Sequence, residues 1–454
     1  MTSPPAAGTP PPEPDSDRDS ERDPGRALDR DILALAIPAL GALAADPLVS
    51  MVDTAFVGRH GVTQLAALGV NASVFSLAFV VFNFLAYGTT PRVAGAVGRG
   101  ERERAGRMAL EALLLAALGG AAALLLLQLF AGPVLAVMGA TGELREPALA
   151  YLRIRAFAGP AVLLMTAGHG IYRGWQDTRT PLVVSLALNA VNLVLDPLLI
   201  FGLGWGLRGA ATATVVAQWS GALGFLWLIL FRDRERLGIP DARPALRDLV
   251  PLLRVGGALV VRTLSLVGTM TLATAVATRV GALAVAAHQV ASQLWLLLAL
   301  VVDALAVAAQ ALVGRYEGAR ARQAANRLLA WGVVVGFGLA GLFLTARPWL
   351  PRLFTDDPDA IARVDAILPF VIWMQPLNAV VFVWDGVFMG AEDFRYLAVQ
   401  MVVSAAAAGT LLLLVVPMGW GVAGVWWGIV ALMAGRALTL GVRYWSRSGP
   451  ARTG

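Results

Sequence analysis

The sequence predicts an all-α membrane protein with about twelve transmembrane helices in two parallel six-helix lobes. Three observations support this prediction: an apolar composition, regularly spaced hydrophobic stretches and an internal repeat. Of 454 residues, 57% are hydrophobic and only 15% are charged, whereas soluble domains contain roughly 25% charged residues. A soluble domain cannot bury so much apolar surface, so the membrane is the expected environment.

The hydrophobic stretches are long enough to cross a bilayer, because a helix needs about 20 mostly apolar residues to span about 30 Å of hydrocarbon. We predict twelve spans, at residues 31–57, 65–91, 106–131, 147–172, 181–202, 209–231, 248–278, 282–312, 326–346, 360–388, 396–417 and 421–442. The first six form an N-terminal lobe, 31–231, and the last six form a C-terminal lobe, 248–445, joined by a basic cytoplasmic linker, 232–247.

The two ends of the chain are polar and are expected to lie outside the membrane. Residues 1–30 are rich in proline, aspartate and arginine and contain no apolar segment of the kind found in signal peptides. We therefore expect a disordered cytoplasmic tail there. Residues 446–454 form a second, shorter cytoplasmic tail.

The distribution of basic residues predicts the orientation of the chain. All 36 basic residues are arginine; 24 lie on the side that carries both termini, six lie on the other side and six lie within spans. Arg173 is counted among the loop residues of the first side. Because basic residues concentrate on the cytoplasmic face, we expect both termini in the cytoplasm and the protein in the inner (plasma) membrane. The formal charge of +6 therefore reflects topology, and no nucleic-acid partner is expected.

The two halves of the sequence resemble each other. VDTAFVGRHG at 52–61 aligns with LATAVATRVG at 272–281, and PAVLLMTAGHGIYRGWQDTR at 160–179 aligns with PLNAVVFVWDGVFMGAEDFR at 376–395. Each half contains six spans, an even number, so both halves have the same orientation. They are expected to be related by a pseudo-twofold axis along the membrane normal, which is an arrangement found in transporters.

Five aspartates lie within the predicted spans: Asp46, Asp53, Asp196, Asp303 and Asp385. An unpaired charge at this depth costs at least about 2.5 to 3.5 kcal/mol, so each aspartate requires a partner, a hydrated cavity or a proton. Asp46 and Asp53 are seven residues apart and therefore lie on one helix face, two turns from each other. Function is the first hypothesis for such residues.

Span 5 carries a polar stripe. Asn189, Asn192 and Asp196 follow one another at helical spacing on a single face. Pro197 disrupts the backbone hydrogen bonding next to the carboxylate. A stripe of this kind faces either a cavity or a packed neighbour.

The acidic residues of this stripe and of span 1 are confined to the N-terminal half of the repeat. Asp53 aligns with Ala273, and Asp196 aligns with Leu411. A residue needed only for packing would be expected in both halves. We therefore infer a cation site in the N-terminal lobe alone.

Three segments resemble the DinF-like branch of the multidrug and toxic compound extrusion (MATE) family. They are LVSMVDTAFVGRHGVTQLAALGV in span 1, NLVLDPLLIFGLGWGLRGAATATVVAQ in spans 5 and 6, and AAHQVASQLWLLLALVVDALAVAAQALVGRYEGA in span 8. The resemblance covers roughly residues 31–445. It implies two six-helix lobes arranged as a V, which export substrates by alternating access in exchange for protons or sodium.

The resemblance also implies a set of site residues. The cation site of the family's N-terminal lobe corresponds here to Asp53, Asn192 and Asp196, and Tyr151 and Thr214 match its supporting hydroxyl groups more loosely. We therefore expect these five side chains to lie together.

The residues themselves allow either coupling ion. Two carboxylates held close together at low dielectric constant cannot both stay ionised, which suits a proton carrier. A sodium site instead needs several oxygen ligands. Asp53, Asn189, Asn192, Asp196 and Thr214 can supply them. The resemblance to DinF-like proteins favours protons.

A second group of residues forms a candidate second site or substrate path: Asp46, Arg262, Asp303, Asp385 and His169. Arg262 is expected to be the counter-ion of one of the C-terminal-lobe aspartates or of an anionic substrate. Arg153 and Arg155 lie near an end of span 4, and we expect both to extend to the membrane surface.

Enzyme functions are disfavoured. The chain contains three histidines and no cysteine, and it has neither an HExxH motif nor a nucleotide-binding glycine loop. We therefore expect no enzyme activity, no cofactor and no resident metal. The alternative function is a flippase for a lipid-linked intermediate, from a related two-lobe superfamily, which needs basic residues to hold a pyrophosphate. Because the deep positions hold five aspartates and essentially one arginine, we expect the exported compounds to be small, organic and cationic or neutral. We also expect the protein to be a monomer.

Overall fold

A computed structural model of the chain describes residues 24–58, 61–241, 244–353 and 358–446. The N-terminal lobe contains α1 (Pro24–Gly58), α2 (Val62–Val80), α3 (Phe84–Gly98), α4 (Arg102–Val137), α5 (Arg145–Ala156), α6 (Gly159–Gly174), α7 (Arg179–Pro197) and α8 (Gly206–Trp227). The C-terminal lobe contains α9 (Val250–Val280), α10 (Ala282–Arg315), α11 (Gly318–Ala346), α12 (Pro358–Trp373), α13 (Gln375–Gly390), α14 (Phe394–Val415) and α15 (Gly421–Trp445). Over the described ranges the chain is helical and has no strand.

These helices provide up to twelve membrane crossings. Ten are single stretches long and apolar enough to cross a bilayer, and one of them joins α2 to α3 through a short 3₁₀ turn. The helix pair α5 and α6 is bent by 47°, the pair α12 and α13 is bent by 48°, and each pair supplies one further crossing. The prediction of an all-α membrane protein with about twelve spans is confirmed.

The ends of the chain differ in part from the expected tails. Helix α1 begins at Pro24, so residues 24–30 of the predicted disordered tail are helical. The carboxylate of Asp29 in this stretch accepts hydrogen bonds from Arg327 Nε at 2.6 Å and Trp331 Nε1 at 2.7 Å, both on α11. The start of α1 is therefore attached to the C-terminal lobe.

Residues 1–23 and 447–454 of the two tails, and residues 242–243 of the linker, lie outside the described residues. Arg59, one of the six arginines predicted for the non-cytoplasmic side, also lies outside the described residues.

The two lobes pack their helices in equivalent ways. Helix α6 packs on α3, α4 and α8, and helix α13 packs on α10, α11 and α15. The repeat aligns Gly170 of α6 with Gly386 of α13. A Cβ atom added at Gly170 would lie 3.0 Å from the Cα of Ala86, and one added at Gly386 would lie 2.5 Å from the carbonyl oxygen of Ala306. Glycine is required at both places because the helix backbones approach so closely.

The lobes meet at the end of the molecule that carries both described termini. Helix α10 packs against α1 and α3 across the interface. Gly98 at the end of α3 lies directly against the backbone of Arg315 at the end of α10. The Arg315 side chain donates a hydrogen bond to Gln176 Oε1, and Arg99 pairs with Glu317 at 3.6 Å. This end of the interface is therefore closed by backbone contact and by polar side chains.

Candidate functional site

A cavity of about 520 Å³ lies inside the N-terminal lobe, between α1, α2, α5, α7 and α8. Six of the side chains singled out from the sequence line it: Asp46, Asp53, Tyr151, Asn189, Asn192 and Thr214. The side chain of Asp196 does not line the cavity; it is fully buried behind it, where it accepts a hydrogen bond from the lining residue Asn192. The fold therefore brings the expected site residues together from four helices that are far apart in the sequence.

The carboxyl groups of Asp53 on α1 and Asp196 on α7 are close enough to share a hydrogen bond. Oδ1 of each carboxyl group is buried and accepts no hydrogen bond from an N–H or hydroxyl donor among the described residues. An ionised carboxylate can only accept hydrogen bonds, so a bond between two carboxyl groups requires a proton on one of them. The pair is arranged to hold one proton in common.

The two asparagines of the stripe direct their amide nitrogens towards carboxylates. Asn192 Nδ2 donates to Asp196 Oδ2 at 2.7 Å, within α7. Asn189 Nδ2 donates to Asp46 Oδ1 at 3.2 Å and so links α7 to α1. Both bonds stabilise the ionised form of the carboxylate that accepts them.

The two hydroxyl residues lie on α5 and α8, two helices that pack against each other at the cavity. Tyr151 on α5 is 6% exposed and lies beside Asp53 and Arg155. The hydroxyl of Thr214 on α8 donates to the carbonyl oxygen of Ala210 at 2.8 Å. Its lone pairs therefore remain the only part of the hydroxyl that can interact with a group in the cavity.

Arg155 is a cavity residue and does not extend to the membrane surface. Its guanidinium lies 4.7 Å from the centre of the Phe75 ring, and its Nη1 is buried without a hydrogen-bond partner among the described residues. Asp53 and Asp46 are its charged neighbours. Arg153, in contrast, is exposed, as expected. Arg153 and Arg155 lie on different faces of one helix, and their shared position near the end of a span does not show which of them faces the cavity.

Two polar residues in the same cavity were not predicted. Asn71 on α2 donates to the carbonyl oxygens of Ala67 at 2.8 Å and Ala148 at 3.1 Å, and its Oδ1 has no partner in the described part of the chain. Gln218 on α8 lines the cavity, and its Oε1 is likewise without a partner there. Both lie in apolar spans, so the sequence signal that could have identified them is a polar side chain within a span.

A second cavity of about 280 Å³ adjoins the first and shares Asp46 and Gln218 with it. His169 and Arg173 on α6 and Tyr87 on α3 line its other side. The His169 ring packs edge-on against Phe225, with 5.3 Å between ring centres.

A third cavity of about 140 Å³ lies between the lobes and shares Tyr87 and Arg173 with the second. Three residues predicted for a second site lie in its wall: Arg262, Asp303 and Asp385. Asp385 Oδ2 accepts a hydrogen bond from Arg262 Nη2 at 2.6 Å and a second from Arg436 Nη2. Arg262 is therefore the counter-ion of Asp385, but it shares this role with Arg436.

The charges at these three cavities correct the count made from the sequence. Essentially one deep arginine was expected, but Arg155, Arg173 and Arg436 also line cavities. Arg173 was placed in a loop because the predicted span ended at residue 172, yet its side chain is 6% exposed. Arg436 is 1% exposed. The expected excess of aspartates over arginines is therefore wrong for the cavity between the lobes, which is lined by three arginines and two aspartates.

Two helical lobes that enclose connected polar cavities within membrane-spanning helices define a membrane transport protein. The sequence model of the MatE family matches residues 38–198 and 258–415, and the chain belongs to this family. It is therefore a multi-pass membrane transporter of the multidrug efflux type and not an enzyme.

Individual relatives agree with this assignment. The chain is 37% identical to "Protein DETOXIFICATION 44, chloroplastic" of Arabidopsis thaliana, over 96% of this chain and 86% of that protein. It is 29% identical to "DNA damage-inducible protein F" of Escherichia coli strain K12, over 92% of this chain and 93% of that protein. In fold it is similar to a crystal structure of MATE in the bent conformation, with a TM-score of 0.84, 22% identity and coverage of 92% of this chain and 96% of that one.

Proposed function

We propose that the protein is a proton-coupled antiporter that exports small organic compounds by alternating access, and that Asp53 and Asp196 carry the proton. The carboxyl pair at the base of the N-terminal-lobe cavity is the observation that supports this proposal most directly. One proton shared by two buried carboxyl groups can be taken up or released without the binding of a larger ion. Asn192 donates a hydrogen bond to Asp196, one member of the pair. This bond stabilises the ionised carboxylate and so assists release of the proton.

Several features favour a proton over sodium. A sodium ion requires several converging oxygen ligands, but Asn189 and Asn192 direct N–H groups towards the acids. Arg155 also places a fixed positive charge next to Asp53, and this charge repels a second cation.

The proposed cycle uses the two lobes as moving parts. In the described conformation the lobes are in contact at the end that carries the termini, which we place in the cytoplasm because most arginines lie there. Protonation of the acid pair removes a buried negative charge and weakens the attraction of this cavity for Arg155. We propose that this change favours the opposite opening of the lobes, so that proton entry is exchanged for compound exit, in a monomer within the inner membrane.

The experiment compares wild-type protein with Asp53→Asn and Asp196→Asn in everted vesicles without sodium, using an imposed pH gradient and a panel of fluorescent compounds. Asparagine preserves the shape of each side chain and removes the titrating group. We expect compound movement and the accompanying proton flux to be lost in both variants, while the amount of folded protein in the membrane stays the same.

Asp365→Asn is the matched control, because Asp365 lies outside the cavities and pairs with Arg347; it should transport normally. Normal pH-driven transport by both Asp53→Asn and Asp196→Asn would show that the proposed proton carriers are wrong. Wild-type activity that appears only after sodium is added would overturn proton coupling.

A further inference from the structure

The cavity between the lobes has an unusual charge distribution that the acid pair does not explain. Its wall contains Arg173 from the N-terminal lobe and Arg262, Arg436, Asp303 and Asp385 from the C-terminal lobe. Three guanidinium groups therefore face two carboxyl groups in a space of about 140 Å³. A local excess of positive charge at membrane depth is expensive unless an anion is bound there.

One carboxylate is shared by two of the arginines. Arg262 and Arg436 both donate to the same oxygen of Asp385. Arg262 is 8% exposed, Arg436 is 1% exposed, and the Nε atoms of both are without a partner among the described residues. A single negative charge cannot compensate two positive ones, so this cluster retains positive charge.

Arg173 has no partner at all in the described part of the chain. It is 6% exposed and lines the cavity, but it forms no hydrogen bond and no ion pair there. Asp303 is its acidic neighbour in the cavity, and the two do not form a salt bridge. A buried guanidinium with unused donors is suited to hold a carboxylate or phosphate in a two-bond contact.

We propose that this cavity binds the carboxylate group of an organic anion, held between Arg173 of one lobe and the Arg262–Arg436 pair of the other. The inference names a substrate class for the proposed exporter and rests on that function. With both carboxyl groups ionised, the cavity carries an excess of one positive charge, which matches a monoanion, whereas a phosphate monoester carries a charge of about −1.5 to −2 at pH 7. Leu43, Leu266, Phe382 and Met389 form the apolar part of the wall and accommodate the organic body.

The position of the site couples binding to conformation. The anion would contact arginines from both lobes, so its binding would favour the conformation in which Arg173 lies opposite Arg262 and Arg436. When the lobes move apart at this level, the anion would lose one set of contacts and its affinity would fall. The repeat aligns Arg173 with Met389, and both line this one cavity, so the C-terminal lobe has no arginine at the position equivalent to Arg173.

Three naphthalene compounds of nearly equal size test the proposal by isothermal titration calorimetry on the full chain purified in detergent. They are 2-naphthoate, 2-naphthamide and 2-naphthylmethylammonium. We expect the carboxylate to bind and the amide and the ammonium to bind at least about tenfold more weakly, as follows from the loss of a hydrogen bond to a charged group.

Arg173→Gln should weaken binding of 2-naphthoate by about 10- to 100-fold, and Arg173→Lys should retain part of it. The control is Arg179→Gln, a nearby arginine that is exposed to solvent; it should bind as the wild type does. Because Arg173 has no protein partner, Arg173→Gln should unfold at the same temperature as the wild type, or higher, when no anion is present. A general loss of folding predicts the opposite change.

Several outcomes would overturn the inference. Unchanged affinity of Arg173→Gln for 2-naphthoate, or preferred binding of the ammonium compound, would show that the cavity does not select anions. 2-Naphthyl phosphate is titrated as a fourth compound, and its preferred binding would replace the carboxylate by a phosphate group and would favour the flippase function. The test is independent of proton coupling, because Asp53→Asn should still bind 2-naphthoate at fixed pH even though its transport is lost.

Discussion

The N-terminal and C-terminal lobes pack their helices in equivalent ways, but they hold their buried acids differently. In the N-terminal lobe, Asp53 and Asp196 lie against each other. In the C-terminal lobe, Asp385 lies between Arg262 and Arg436. An acid beside another acid needs a proton, whereas an acid beside two guanidinium groups keeps its charge. One lobe thus holds a titrating pair of acids, whereas the other holds a fixed ionic cluster.

The repeat shows how this difference arises from few substitutions. Asp53 aligns with Ala273, which is fully buried at the corresponding place in α9. Conversely, Arg262 of α9 aligns with Ala42 of α1, which is also buried. Each lobe has a charged side chain where the other has alanine. Since the glycines that set the helix contacts are retained in both halves, the charges diverged while the backbone packing was kept.

The largest expected effect is on stability and lies in the C-terminal lobe. Asp385→Asn leaves Arg262 and Arg436 buried without their counter-ion, and the loss of one partner from a buried ionic cluster costs about 3 to 5 kcal/mol. Asp53→Asn should change the free energy of unfolding by no more than about 1 kcal/mol, because asparagine needs no proton to be neutral. Titration of the detergent-purified variants with SDS measures both values.

The exposed pair of Arg347 and Asp365 supplies the control for this measurement, since each side chain is more than one-third exposed. Asp365→Asn should cost at most about 1 kcal/mol. If Asp385→Asn is as stable as Asp365→Asn, the C-terminal-lobe cluster is not a fixed structural charge, and the contrast between the lobes fails.

A smaller effect is expected from the fixed charge in the N-terminal lobe. Arg155→Gln removes a cation that lies near Asp53 and stabilises the ionised form of the acid pair. Protonation should then persist to higher pH, so the pH dependence of transport should move upward by on the order of one unit. The measurement is compound efflux from vesicles over a range of pH values.

Arg153→Gln tests whether this effect is local, because Arg153 lies on the same helix but is exposed. Its pH profile should match that of the wild type. An unchanged profile in Arg155→Gln would mean that this arginine does not influence the acid pair and that the N-terminal lobe depends on the carboxyl groups alone.

A shift of the same kind should follow from Asn192→Ala. This change removes the N–H donor that lies 2.7 Å from Asp196 Oδ2, and a hydrogen bond to a charged group contributes about 1.5 to 3 kcal/mol at most. Transport should continue, with a pH profile shifted upward in the same direction as for Arg155→Gln. In a sodium-coupled protein the variant would instead show a higher sodium requirement, and efflux measured with and without sodium separates these outcomes.

The sequence alone determined the architecture, because each relevant signal is local or periodic. Apolar stretches of sufficient length, the arginine distribution and the two-fold repeat predicted the helical spans and the lobes, and ten single spans with two bent pairs agree with them. It also predicted six of the polar side chains that line the N-terminal-lobe cavity, but not Asn71, Arg155 or Gln218. Asp46, Asp53 and Asn192 are conspicuous in apolar helices because an isolated polar group there is unfavourable.

Only the tertiary structure decided which charged groups are neighbours. Arg155 and Arg173 lie near the ends of their helices in the sequence, where an arginine is equally compatible with solvent and with a cavity. Their burial depends on how α5 and α6 bend, and on which helices of the other lobe they meet. Charge balance in a cavity is a property of side chains brought together from distant segments, so the sequence could count the deep aspartates but could not assign them their counter-ions.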